Sequence, residues 1–218
     1  MTKAVIFDLD GTLVDAFQDI ANAINRPLGA RGLPVHSVEV IRTFVGEGAG
    51  KLVERAVPPG TPPELIQTVR AEMLEWYHAH PADFAFVYDG IVPVLDHLRA
   101  RRAPLGVLSN KPHPMTVLTM QQLGLADFFQ GMAGEKGPEV PRKPDPKGLR
   151  LLLEEMGVTD AIMVGDGRPD GEVARAARIP FVAVTWGTRT ADQLTEYDPV
   201  AVADQPAELI PILDRLLS

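Results

Sequence analysis

Two pairs of carboxylates stand where apolar runs end. Asp8 closes the run Ala4-Val5-Ile6-Phe7 and Asp10 follows two positions on, with Gly11 next to free the backbone so that both can face one pocket. Asp166 closes Ile162-Met163-Val164-Gly165, and Asp170 follows four positions later. Carboxylates crowded this closely repel unless a cation or a proton lies between them. Two such pairs at two strand ends of one sheet, with a backbone carbonyl and water, can supply the oxygen-rich octahedral shell that magnesium demands. Each pair alone also fits ordinary turn chemistry, because strand ends favour Asp and Gly and Asp170 suits the first turn of a helix.

Two further segments carry groups suited to an anion. Leu108-Ser109-Asn110-Lys111 follows an apolar run and offers a hydroxyl and backbone N–H groups. Lys143 lies in Arg142-Lys143-Pro144-Asp145-Pro146, where the prolines restrict the backbone and the ammonium can act as a point charge near a phosphoryl group. Taken singly, the first is common turn chemistry and the second a solvated loop lysine.

The elements that must hold these groups follow from hydrophobic patterning. Ala4–Phe7, Leu105–Leu108, Phe128–Met132, Ala161–Val164 and Phe181–Val184 are short, nearly continuous apolar runs, as in strands buried on both faces of a parallel sheet. Val92–Arg101, Met115–Leu123, Lys147–Met156, Gly171–Arg178 and Ala207–Leu217 carry apolar residues at helical spacing. The alternation predicts an α/β fold with a doubly wound parallel sheet. One stretch breaks the rhythm. Between Asp15 and Phe86 there are helix signals over Asp15–Gly32, Ser37–Phe44, Ala49–Val57 and Pro63–His78, and no convincing strand. Pro27 is expected to kink or interrupt the first of these helices. The organisation expected is therefore an α/β core of residues 1–14 and 88–218, with a helical unit of residues 15–87 inserted after the first strand and hinged over its end.

Composition narrows the partners. The chain has 218 residues, a net charge of −8 and no cysteine, which excludes disulfides, thiolate metal sites and a cysteine nucleophile. An acidic chain lacks the basic footprint of a nucleic-acid binder. No apolar run approaches a membrane span or a signal-peptide core, so the expectation is a cytoplasmic protein.

In order and spacing, the segments Asp8–Asp15, Ser109–Asn110, Lys143–Pro146 and Gly165–Asp170 closely resemble the motif set of the haloacid dehalogenase-like hydrolase superfamily. The string Phe7-Asp8-Leu9-Asp10-Gly11-Thr12-Leu13-Val14-Asp15 is the most specific of them, and the helical insert is similar to that family's C1-type cap. The resemblance implies a Rossmann-like core and a phosphatase. Asp8 would be the nucleophile, forming an aspartyl-phosphate, and Asp10 the general acid and then general base. It further implies Mg2+ held by the Asp8 carboxylate, the Asp10 carbonyl and Asp166, with Asp170 supporting from behind. Thr12, Ser109, Asn110 and Lys143 would bind the phosphoryl group of the substrate. Superfamily members that dehalogenate carbon lack the second acid and the metal, so an intact Asp8-x-Asp10 implies phosphoryl transfer. The chain departs from the common pattern at Gly167, at Asp89 and at Pro27.

The turn Val45-Gly46-Glu47-Gly48-Ala49-Gly50-Lys51-Leu52 and the pair Trp186-Gly187 resemble the phosphoglycolate phosphatase branch. Glu47, Lys51 and Arg55 are its candidate specificity residues, equally open to a reading as solvated charges. The substrate expected is a small phosphorylated metabolite, bound by a monomer or homodimer, with no nucleic acid and no membrane as partner. A phosphomutase of the β-phosphoglucomutase type and a non-catalytic phosphate-ligand-binding protein are the alternatives. His113, His78, His80 and the run Arg99-Ala100-Arg101-Arg102 are given structural roles, and Met73, Trp76 and Tyr77 are assigned to packing.

Overall fold

The computed structural model describes residues 3–218. Its central sheet has six strands in the order β5-β4-β1-β6-β7-β8, all paired in parallel. These are β1 (Lys3–Phe7), β4 (Leu105–Pro112), β5 (Gly131–Glu135), β6 (Asp160–Gly165), β7 (Phe181–Val184) and β8 (Ala201–Ala203). The chain leaves β1, builds outward through β4 and β5, then returns to the other side of β1 for β6, β7 and β8. Reversal of strand order beside β1 opens a crevice at the carboxyl ends of the strands, where ligands bind in sheets of this kind. Phe7 pairs with both Val107 and Val164, so Asp8 emerges between the ends of β4 and β6.

Both faces of the sheet are covered. On one, Val5, Phe7, Val107, Ile162 and Val182 pack with α5 (Ile91–Ala100) and α10 (Leu209–Leu217). On the other, Ala4, Ile6, Met163 and Ala183 meet α7 (Pro146–Glu155) and α8 (Arg168–Ala177). The remaining core helices are α6 (His113–Gln122) and the short α9 (Ala191–Thr195).

Four helices lie between β1 and β4: α1 (Phe17–Gly29), α2 (Val38–Phe44), α3 (Gly48–Ala56) and α4 (Pro63–Ala79). They bury a cluster of their own, including Ile20, Ile24, Leu28, Ile41, Val53, Val69, Met73 and Tyr77. Local chemistry sets their ends. Ser37 accepts the Val40 N–H at the start of α2, and Pro63 opens α4 where its missing N–H costs nothing. The chain enters and leaves this unit through β2 (Val14–Asp15) and β3 (Phe86–Val87), which pair antiparallel as a two-stranded ribbon.

Several boundaries differ from the sequence expectation. The third strand lies at Gly131–Glu135, because Ala126–Phe128 winds into a 3-10 turn whose aromatic end packs under Arg99. The strand expected to stop at Leu108 continues through Ser109, Asn110 and Lys111 to Pro112, with an irregularity in its pairing to β5. Pro27 does not interrupt α1: it lies in the last turn, where one lost hydrogen bond is tolerated, and the helix ends two residues later. Helix α8 begins three residues before the expected Gly171, with the Asp170 carboxylate accepting the Gly167 N–H at 2.9 Å. The ribbon β2–β3 and the strand β8 were too short to leave a hydropathy pattern. No helix among the described residues is long and apolar enough to cross a membrane.

Candidate active site

The crevice at the end of β1 gathers residues from four separate segments. Asp8 follows β1, its N–H bonded to the Val164 carbonyl at 2.9 Å, which ties the first carboxylate to the strand carrying the second pair. Gly11, at φ +87°, turns the chain back, and its N–H meets the Val14 carbonyl at 2.8 Å. Oxygen atoms of Asp8, Asp166 and Asp170 lie within 4.8 Å of one another.

Lys143 lies between two of these carboxylates. Its Nζ is 2.8 Å from Asp8 Oδ1 and 2.6 Å from Asp170 Oδ1, with its side chain 1% exposed. Asp170 spends its other oxygen on the Gly167 N–H, so it anchors the lysine and the start of α8 together. Asp166 is also fully engaged: Oδ1 accepts from the Thr12 hydroxyl at 3.0 Å, and Oδ2 from the Thr188 N–H and hydroxyl at 2.7 Å each. Burial first, and then the charge of Asp8, push the Asp166 and Asp170 carboxyls up, while Lys143 pulls Asp170 back. Three carboxylates with one ammonium leave an excess of negative charge in a buried site. An all-oxygen donor set of that charge fits a hard divalent cation.

Backbone approach around Asp166 leaves no room for a larger residue. A Cβ on Gly187 would stand 2.3 Å from Asp166 Oδ2 and 2.4 Å from the Gly11 carbonyl oxygen. Gly187→Ala should therefore displace Asp166, lowering kcat/KM at least tenfold and stability by about 1–3 kcal/mol through overpacking. Steady-state kinetics and thermal melting of the variant check both.

Asn110 holds the loop of Lys143 in place. Its Oδ1 accepts the Lys143 N–H at 2.6 Å, and its Nδ2 donates to the Lys143 carbonyl and, across the crevice, to the Gly46 carbonyl at 2.8 Å. The side chain expected to touch substrate is thus committed to positioning. Thr12 is likewise committed, to Asp166, and is fully buried. Ser109 Oγ accepts the Lys111 N–H at 3.2 Å and faces the cavity described next.

Over the crevice, the helical unit covers a cavity of about 60 Å³. Its floor is Asp8, Asp10, Ser109, Asn110 and Lys111, and its roof comes from α1, α3, α4 and the turn around Gly46. Cross-contacts hold this closed arrangement. Arg142 donates to the Glu47 carbonyl at 2.7 Å, Arg168 reaches Glu47 Oε2 at 3.2 Å, and Arg42 reaches the Gly187 carbonyl at 3.3 Å. Glu47 also pairs with Arg55, and Lys51 pairs with Glu54 at the surface. Glu47 therefore joins the two units instead of lining the cavity.

Two residues of the site went unread in the sequence. Lys111 donates to both oxygens of Asp10, at 2.6 and 2.9 Å, with its side chain 2% exposed. Tyr77 packs in the helical cluster but also lines the cavity, with Lys111 Nζ 4.9 Å from its ring centroid. A lysine in a strand continuation and a tyrosine at helical spacing give no signal of this meeting, since 34 residues of chain and two different units separate them. His113 is structural, its Nδ1 accepting the Gly134 N–H at 3.2 Å, and His80 stacks on Trp76 at the end of α4.

Comparison with known proteins agrees with this geometry. The family model for haloacid dehalogenase-like hydrolases matches residues 2–178. A phosphoglycolate phosphatase of Rhodospirillum rubrum is 37% identical over 96% of this chain and 90% of its own. Another, of Pseudomonas savastanoi pv. phaseolicola, is 33% identical over 97% of this chain and 79% of its own. Among solved structures, one described as a predicted phosphoglycolate phosphatase from Haemophilus somnus superposes with a TM-score of 0.88 at 26% identity, covering 97% of this chain and 98% of that one.

Proposed function

Because the chain belongs to the haloacid dehalogenase-like hydrolase family and is a phosphatase, we propose that Asp8 is its nucleophile and that its substrate is a small phosphate monoester of the phosphoglycolate type. The observation that carries the assignment is Lys143 Nζ at 2.8 Å from Asp8 Oδ1, in a site that also gathers Asp166 and Asp170. A phosphoryl dianion placed against Asp8 would meet that ammonium at once, and Ser109 beside it.

In the reaction that follows, an Asp8 oxygen attacks phosphorus as the bond to the leaving oxygen breaks, giving an aspartyl-phosphate. Asp10 gives its proton to the leaving alkoxide and then, as the anion, takes one from the attacking water, which releases phosphate and restores Asp8. Lys111 stabilises that anion through both of its oxygens. Lys143 stays against the phosphoryl oxygens throughout, and Asp170 and Asn110 keep it there. Asp8, the Asp10 carbonyl and Asp166 would hold Mg2+, which when bound supplies positive charge to offset repulsion between the phosphate and Asp8.

The proposed division of labour gives residues 1–14 and 88–218 the chemistry and residues 15–87 the role of a cap. The cavity beneath the cap is small, about 60 Å³, and its cap side is mostly apolar. A small, largely apolar cavity favours a compact ester over a nucleotide. A cytoplasmic location is part of this proposal.

Phosphate release from 2-phosphoglycolate, sugar phosphates, a nucleotide and pyrophosphate, with Mg2+ and with excess chelator, tests this reading. The expected result is release that needs Mg2+ and is fastest with 2-phosphoglycolate, by tenfold or more over the nucleotide. Isomerised sugar phosphate without free phosphate would turn the assignment to a mutase.

A further inference from the structure

The cap offers the cavity one polar side chain. Its lining residues are Ile20, Val45, Gly46, Gly48, Ala49, Leu52, Met73 and Leu74, and then Tyr77. Tyr77 is 3% exposed, and its hydroxyl makes no hydrogen bond of ordinary geometry among the described residues, with the Lys111 ammonium as its polar neighbour. Buried hydroxyls are nearly always bonded, so one left free in the wall of an active-site cavity marks the place of a missing partner. The Lys111 ammonium lies beside the same ring and lines the same cavity. Of its three donors, two are spent on the oxygens of Asp10.

From this juxtaposition we propose that Tyr77 and Lys111 form a subsite for the carboxylate of the substrate, at the end of the molecule remote from the phosphoryl group. This rests on the reading of the cavity as a phosphatase active site and goes beyond it in assigning the residues that select the substrate. An ammonium donates and never accepts, so its ligand is an acceptor. With two of its N–H groups on Asp10, the ammonium has one donor left, which beside the tyrosine O–H matches the two oxygens of a single carboxylate. A second phosphoryl group would bring two charges and further oxygens against Ile20, Leu52 and Met73, which satisfy none of them. A neutral sugar would leave hydroxyl donors facing the same apolar wall. A carboxylate, with two oxygens and one charge, takes the tyrosine O–H on one side and the ammonium on the other.

The residues belong to different units, Tyr77 to the cap and Lys111 to the core, so the subsite is complete only when the cap is closed. A carboxylate bound there bridges the two and holds them together over the reacting phosphoryl group.

The test compares 2-phosphoglycolate with 2-hydroxyethyl phosphate, in which CH2OH replaces the carboxylate, using wild type and Tyr77→Phe. Wild type should favour 2-phosphoglycolate in kcat/KM by about a hundredfold. Tyr77→Phe keeps the packed ring and loses only the hydroxyl. It should raise KM for 2-phosphoglycolate tenfold or more while altering KM and kcat for 2-hydroxyethyl phosphate less than twofold. An equal loss on both substrates, or none on either, would assign Tyr77 to packing and overturn the subsite. A wild type that hydrolyses both esters without preference overturns the subsite and leaves the phosphatase mechanism intact. A wild type that releases phosphate from no monoester with Mg2+ present overturns the mechanistic reading, and the subsite falls with it.

Discussion

Asp8→Asn should lower turnover by about a thousandfold or more, the scale on which enzymes lose rate when a nucleophile is removed, while the protein stays folded. The amide has the shape of the carboxylate and can still accept the Leu9 N–H that Asp8 accepts at 2.7 Å. What it loses is the anion that attacks phosphorus. The fold has reason to tolerate the change, because the charge of Asp8 is among the causes that push the Asp166 and Asp170 carboxyls up. Removing that charge relieves repulsion in the metal-free protein, and Lys143 keeps its contact with Asp170. The melting temperature in chelator should accordingly be unchanged or slightly higher. Phosphate release, thermal melting and mass spectrometry to exclude deamidation back to Asp decide the matter. Near-normal turnover by an undeamidated variant would remove Asp8 from the mechanism.

The second large effect is expected at Lys143. Replacing it with Met leaves Asp8 and Asp170 facing one another in a buried site without their shared cation. Breaking a buried pair in this way typically costs about 3–5 kcal/mol, since the orphaned charge cannot be resolvated. Activity should fall about 10²–10³-fold, the range for losing one group that stabilises transition-state charge. A second substitution separates the two effects. In Lys143→Met combined with Asp170→Asn, the buried carboxylate is neutral and part of the lost stability should return, whereas activity should not. Urea unfolding in chelator measures the first, and phosphate release with Mg2+ the second. Recovery of activity in the double variant would show that Lys143 serves only to neutralise Asp170.

The sequence carried the parts of this arrangement that local chemistry writes down. Runs such as Ile162-Met163-Val164-Gly165-Asp166 state both a buried parallel strand and the carboxylate at its end, because one periodicity and one turn residue suffice. The α/β class and the four helices over the crevice followed from the same patterning. What it did not carry was side-chain commitment. Thr12 and Asn110 are polar groups near the site, yet their hydrogen bonds go to Asp166, Gly46 and the Lys143 backbone. Composition does not say whether a donor faces a ligand or a neighbour. Tyr77 was assigned to packing on its helical spacing, and it does pack, but the cavity wall its hydroxyl faces is built by residues from other helices. Elements of two or three residues, such as β2, β3 and β8, are held by pairing across the chain and not by any pattern within themselves.

The ribbon of β2 and β3 also bears on how often closure succeeds. Val14 pairs with Val87 and Asp15 with Phe86, so the two chain crossings behave as one strap and not as two independent tethers. A cap on separate tethers would sample many orientations, and each productive closure would spend entropy in finding one of them. On the proposed hinged motion, a paired strap would restrict the cap largely to swinging about one line. That search would then be settled when the chain folds, and each swing would bring Tyr77 back toward Lys111.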